Sequence, residues 1–167
     1  MPLTFRPASA ADIPLLRSLA DRIWRISYPG MISLEQIDYM LGWMYSEETI
    51  AAELATGVHW EISLLDEVPV GYLSLTFQSA GVAELNKLYL LPEHQGRGFG
   101  QEMLAHAIEL AAARGCMEVR LRVNKRNERA LRSYDSAGFL IIDSITADIG
   151  GGFVMDDFVL ARSLVRS

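Results

Sequence analysis

Residues 85–115 read LNKLYLLPEHQGRGFGQEMLAHAIELAAARG, an apolar strand pattern that turns through glycines straight into a helix pattern. Beyond the turn, Phe99, Met103, Ala107, Leu110 and Ala111 recur every three or four residues, the period of one buried helix face. Gly96, Gly98 and Gly100 stand at alternate positions just ahead of it. Lacking Cβ, they let the backbone bend so that successive N–H groups point into one concavity, to which the helix adds its unpaired donors and the positive end of its dipole. Such a unit commits this part of the chain to an α/β arrangement and makes a phosphate the natural guest of the corner. The dinucleotide pattern G-x-G-x-x-G fails because Gln101 takes the third glycine's place, and no Gly-Lys-Ser/Thr follows to make a phosphate loop.

The rest of the chain supplies more strands and helices around this unit. Residues 3–7 read as a first strand, followed by a helix that starts near Ala10 or Ala11, tolerates Pro14 only in its first turn, and stops at Tyr28-Pro29-Gly30. Ser33 with Gln36 forms a capping box for a second helix ending near Trp43 or Tyr45, and residues 46–55 make a third. Residues 58–65, 70–77 and 82–91 form an antiparallel meander, turning at Asp66-Glu67 and at 79–81. After Gly115 come a strand over 116–123, a helix over 127–137, and a hairpin of 139–147 with 153–161 joined by Gly150-Gly151-Gly152. The 167 residues are expected to fold as a single α/β domain with a mixed, mostly antiparallel sheet of six or seven strands.

Charge narrows the choice of guest. A net charge of −6 sets the protein as a whole against nucleic acid and anionic membrane. Yet Arg120, Arg122, Lys125, Arg126, Arg129 and Arg132 lie close together with Glu128 as the one acid among them. A local basic patch in an acidic protein suits a polyanionic small molecule better than a polymer. The start, MPLTFRPAS, lacks a basic-then-apolar export signal, and the lone Cys116, read as a small core residue opening a strand, cannot form an internal disulfide. A cytoplasmic setting is therefore expected. His59, His94 and His106 share no ligand spacing and predict no metal.

A second constellation, VRLRVNKRNERALRSYDSAGF over 119–139, places Asn127, Leu131 and Tyr134 on one helix face before Gly138 breaks the helix. Together the two stretches resemble the GNAT family of N-acetyltransferases. Gln95, Gly98 and Gly100 match its acetyl-CoA signature Q/R-x-x-G-x-G/A, and Asn127, Ala130, Tyr134, Gly138 and Phe139 match its second motif, N-x-x-A-x-x-x-Y-x-x-x-G-F. The resemblance covers residues 70–139 closely. More loosely, the N-terminal helices and Met155-Asp156-Asp157-Phe158 are similar to the branch of polyamine and other small-amine acetyltransferases.

The resemblance implies a V-shaped splay between the fourth and fifth strands, with acetyl-CoA lying in it. Leu88, Tyr89 and Leu90 would present a free backbone edge to the pantetheine arm. After Gln95, the diphosphate would lie on the amides of Gly96, Arg97, Gly98, Phe99, Gly100 and Gln101, with the Arg97 side chain adding charge, Asn127 on the pantetheine, and some of Lys125, Arg126 and Arg129 on the 3′-phosphate. The acceptor would be a primary amine attacking the thioester directly, a small-molecule amine or polyamine ahead of a peptide amine. An alkylammonium with a pKa of ~10.4 is only about a thousandth neutral at physiological pH, a deficit of roughly 4 kcal/mol, so a base or an apolar site is needed. Tyr134 would protonate the leaving thiolate. Glu84, placed by strand alternation on one face with Asn86 and Leu88, is the candidate base. Trp24, Tyr28, Gln36 and Tyr39, with Asp156 and Asp157, are candidates for the acceptor pocket, where aromatic rings and acids suit a cation. A homodimer is compatible with the family. A non-catalytic acyl-CoA-binding module would keep the same glycine corner and stays open as an alternative, as does, more remotely, a nucleotide-binding protein.

Overall fold

A computed structural model describes residues 2–165. Seven strands form one sheet in the order β1-β2-β3-β4-β5-β7-β6. The strands are β1 (Thr4–Pro7), β2 (His59–Leu65), β3 (Val68–Phe77), β4 (Val82–Leu90), β5 (Glu118–Asn124), β6 (Leu140–Gly150) and β7 (Phe153–Ser163). Five helices flank them: α1 (Ile13–Ser27), α2 (Leu34–Met44), α3 (Glu47–Ala55), α4 (Phe99–Ala113) and α5 (Glu128–Ser136). All neighbouring strands run antiparallel except β4 and β5, which are parallel. This is the expected mixed, mostly antiparallel sheet.

Two cores sit on opposite faces. Ile13, Leu16, Ala20, Ile23 and Trp24 of α1 recur at helical spacing and pack with Ile37, Met40, Tyr45, Trp60 and Tyr72. Each such side chain contributes about 1.5–3 kcal/mol by leaving water. On the other face Leu104, Ala107 and Ala111 of α4 cover Leu73, Leu75, Ala83, Leu85, Val119 and Leu121. Local chemistry sets the helix starts. Ser33 and Ser46 accept the N–H groups of Gln36 and Thr49, each satisfying one orphan donor of a first turn. Only half of the expected capping box forms at Ser33, because the Gln36 side chain donates instead to Val154 O at 2.9 Å, tying α2 to β7.

β4 parts from β5 early. Their register runs from Val82 opposite Glu118 to Leu85 opposite Leu121 and stops there. Beyond it β4 stays paired with β3 as far as Leu90 opposite Gly71, and β5 stays paired with β7 as far as Asn124 opposite Asp157. Each strand follows its outer neighbour, so the twist of the sheet opens a V between them, as expected. A bulge at Asn86 interrupts β4, since Leu75 pairs with Leu85 while Ser74 pairs with Lys87.

Several expectations shift. The bulge breaks the alternation that joined Glu84, Asn86 and Leu88: Leu88 turns to the α4 face, while Lys87 and Tyr89 lie on the α1 face. Cys116 precedes β5 rather than opening it, half-buried against the α4-side core. Two of the histidines are not isolated. Nε2 of His59 and of His106 donate to the two oxygens of buried Glu61, at 2.7 and 2.6 Å, and His106 stacks on Phe5. Burial pushes the Glu61 carboxyl up, but the two imidazoles outweigh it and hold the carboxyl below its ordinary range. The final hairpin is longer than expected, and β6 forms an open edge that exposes Leu140, Ile141 and Ile142. Among the described residues no helix is long and apolar enough to cross a membrane.

Gly71 of β3 is pressed against the splayed part of β4: a Cβ there would meet Tyr89 O at 2.3 Å. Gly71→Ala is expected to destabilise the protein by about 1–3 kcal/mol in urea unfolding, the usual cost of forcing atoms into a packed interior.

Candidate active site

The glycine corner is built by its backbone. Gly96 and Gly98 adopt φ of 78° and 86°, left-handed values that an L side chain takes only under strain, and Gly98 caps the start of α4. Nothing lies within 4 Å of where a Cβ would stand on Gly98 or Gly100, so the concavity is open. Gln95 Nε2 donates to Leu90 O at 3.1 Å, fixing the corner to the end of β4. Gln101 Nε2 donates to Ser133 O and Oγ, at 2.9 and 2.8 Å, fixing the other side to α5.

From this corner a cavity of about 840 Å³ runs through the splay to the far face of the sheet. Gly96, Gly98, Gly100, Gln101 and Arg129 line one end; Leu88, Tyr89, Leu90, Asn127 and Tyr134 line the passage. The other end is walled by Trp24, Tyr28, Gln36, Lys87, Met155 and Asp157. Its floor is aromatic. Tyr28 and Tyr89 share a hydrogen bond of 3.1 Å between hydroxyls; in the core beneath this lining, Tyr72 OH and Trp24 Nε1 both donate to Tyr45 OH, at 2.8 and 3.3 Å. Burial pushes the Tyr28, Tyr89 and Tyr134 phenols up, so all three keep their protons at neutral pH.

Two ionisable side chains, Lys87 and Asp157, stand at this end. Lys87 is 6% exposed, its ammonium 4.9 Å from the Trp60 ring centroid and 3.9 Å from Glu53; burial pulls its pKa down and Glu53 opposes that. Asp157 is 3% exposed, and burial pushes its carboxyl up.

The model of the acetyltransferase (GNAT) family matches residues 21–139, a stretch that contains both the glycine corner and Tyr134. The chain belongs to the GNAT family. This GNAT protein is therefore an acetyltransferase, with acetyl-CoA as its donor substrate. It is 29% identical over 161 residues to a spermidine N(1)-acetyltransferase of Thermoplasma acidophilum, covering 93% of this chain and 97% of that protein. It is 38% identical over 96 residues to an uncharacterised N-acetyltransferase of Mycobacterium tuberculosis, covering 58% of this chain and 61% of the relative. Among solved structures, the PaiA N-acetyltransferase of Thermoplasma acidophilum in complex with coenzyme A superposes with a TM-score of 0.84 at 26% identity, over 98% of this chain and 99% of that one. A GNAT structure from Rhodopseudomonas palustris, at 21% identity and a TM-score of 0.83 over 98% and 97%, shares the fold.

The GNAT chain gathers many of the sequence candidates and leaves others aside. Arg97 is exposed and lies over the Phe99 ring at 5.0 Å, while Phe99 itself is buried in the core, so neither side chain lines the cavity. Of the cations proposed for the 3′-phosphate, Lys125 pairs with Asp156 at 2.7 Å and Arg126 donates to Met31 O at 3.0 Å, which leaves Arg129 at the corner. Tyr39 is no pocket residue: its hydroxyl donates to Ile149 O at 2.7 Å and its ring packs on Phe153, bracing the final hairpin. Asp156 is exposed and bound by Lys125 and Thr146, and its neighbour Asp157 faces the cavity instead. Glu84 lines the cavity with its carboxylate accepting Gln78 Nε2 at 2.9 Å. Asn127 uses Oδ1 to cap α5, accepting Ala130 N–H at 3.2 Å, which leaves its Nδ2 to donate. Lys87 was not singled out in the sequence, although a lysine inside LNKLYL is the signal that could have found it.

Tyr45→Phe removes the one acceptor that serves two buried donors. It is expected to cost about 1–3 kcal/mol and to exceed Tyr72→Phe, which removes a donor and leaves Tyr45 OH its bond from Trp24. Thermal denaturation of the two variants makes the comparison.

Proposed function

We propose that this acetyltransferase moves the acetyl group of acetyl-CoA to a primary amine, a small amine or polyamine, by direct attack, with Tyr134 as the proton donor to the leaving sulfur. The observation that carries this reading is the single cavity that joins the open glycine corner to Tyr134 and on to a buried carboxylate and an aromatic floor. Acetyl-CoA supplies an activated acyl group there and leaves as a thiolate that needs a proton.

The residues fit that donor. Backbone N–H groups over 96–101 and the positive end of α4 suit a diphosphate, and Arg129 beside Gly96 adds the cation. The edge of β4 beyond Leu85 has no partner in β5, so an extended, amide-bearing arm can pair with it as an added strand does. Asn127 Nδ2 offers a further donor at the mouth of the passage. Burial keeps the Tyr134 phenol protonated, as a general acid must be.

At the acceptor end, Tyr28, Trp24 and Asp157 suit an alkylammonium with an apolar stem. Met31 and Ile32, between α1 and α2, wall this end, and the bond from Arg126 to Met31 O holds that connection against the start of α5. A walled end favours a slender amine over a folded protein's backbone. The spermidine acetyltransferase relative supports the same class.

Turnover with acetyl-CoA and a panel of amines, followed by release of free thiol, tests the reading. Tyr134→Phe is expected to lower kcat by about 10² or more, with acetyl-CoA affinity kept within about twofold. Arg129→Ala is expected to weaken coenzyme A by about tenfold, equivalent to 1.4 kcal/mol, and dephospho-coenzyme A much less, as calorimetric titration will show. Binding of acetyl-CoA with no amine turned over would refute the catalytic reading.

A further inference from the structure

One carboxylate in the cavity makes no bond that explains its burial. Asp157 stands opposite Asn124 at the end of β5 and opposite Ile145 of β6, where β5 has already left β4. It is 3% exposed, it lines the cavity that also holds Tyr28, Tyr89 and Tyr134, and its Oδ1 is buried without a hydrogen-bond partner among the described residues. Strand alternation sends Asp156 the other way, to Lys125 and Thr146.

The groups that act on Asp157 do not satisfy it. Arg122 of β5 and Lys125 just after it attract it through space, and on β7 Asp156 repels it; at the end of α1 it faces the Tyr28 phenol, and β6 opposes it with apolar Ile145. Burial outweighs the two cations and pushes the carboxyl up. A buried acceptor left unmatched costs stability in the free protein, and such groups call for a missing partner. Tyr28, Tyr134 and Asp157 all line the one cavity, so the carboxylate and the two phenols share it. Glu84 also lines the cavity, but it accepts Gln78 Nε2 and sits opposite Arg120, where β4 and β5 are still paired.

We infer that Asp157 binds the ammonium group of a primary alkylamine acceptor and takes its proton. This rests on the amine-acetylating reading above. The ammonium gives one proton to Asp157 Oδ1, and the neutral nitrogen forms a bond to the acetyl carbon as the carbon–sulfur bond breaks. Tyr134 protonates the sulfur, its phenolate recovers the second proton of the nitrogen, and Asp157 releases its own to solvent. Amide, thiol and one free proton result.

Asp157→Asn keeps the shape and removes the charge. A carboxyl whose pKa is higher folded than unfolded contributes most below its unfolded pKa and opposes folding as pH rises, so the variant's Tm at pH 7 is expected to rise, which also shows that it folds. Acetyl-CoA affinity is expected to hold within about twofold. With spermidine as the probe, kcat/KM is expected to fall about 10²-fold or more, and calorimetric binding of spermidine to the coenzyme A-loaded protein about tenfold or more. The pH profile carries the sign. Wild type reaches a plateau in kcat/KM once Asp157 ionises, whereas the variant climbs with pH up to the amine's own pKa. Wild-type turnover with an unchanged rate and profile in Asp157→Asn overturns the assignment, as does an equal loss at every pH with no change in spermidine binding. Absence of turnover in wild type, despite acetyl-CoA binding, would instead remove the amine-acetylating reading and this assignment with it.

Discussion

β4 and β5 are bonded to each other over four residue pairs but to their outer neighbours over most or all of their lengths, and the cavity exists because of that imbalance. A parallel pair that continued past Leu85 and Leu121 would close the sheet and leave the glycine corner facing solid core. The backbone groups of β4 beyond that point lose their partners in β5, which an isolated sheet would not tolerate at its centre. A ligand that donates and accepts along its length can return them.

Several contacts hold the opening in place. Gly71 lets β3 press against Tyr89, the bulge at Asn86 adds local twist, and Gln95 ties the corner back to Leu90 O. On the other side Lys125 N–H donates to Asp156 O, Gln101 grips Ser133, and Arg126 reaches Met31 O, so β5, α5 and the connection between α1 and α2 move as neighbours of the cavity. Beneath the aromatic lining Tyr45 receives two buried donors, which bonds that lining to the core.

The electrostatics of the passage follow from the same geometry. Desolvation dominates every shifted group that lines it: phenols are held protonated, Lys87 is pulled down and Asp157 is pushed up. A protonated phenol and a carboxylate of raised pKa in one cavity are the two partners that the proposed proton transfers require. Around the rim of the basic stretch, half-buried Lys125 pairs with Asp156, while Arg129 and Arg132 are exposed to solvent.

Much of this was legible in the chain. Gly96 and Gly98 announce left-handed backbone ahead of a helix, Asn127 announces a cap, and the apolar periods of α1 and α4 announce which faces are buried, because each is a short-range consequence of residue type. The strand pattern likewise yielded the meander and the closing hairpin. What lay beyond sequence was every choice made between neighbours. Period-two alternation requires that one of Asp156 and Asp157 face inward, yet only the pairing of β7 with β5 decides that it is Asp157. The same alternation put Glu84 and Leu88 on one face, and one extra residue at Asn86 separated them. Glu61 drew in His106 across 45 residues to join His59, and Tyr39 went to the hairpin turn rather than the pocket. Local conformation is encoded where it is used, whereas facing, register and long-range partnership are settled by packing, which no single stretch of the chain contains.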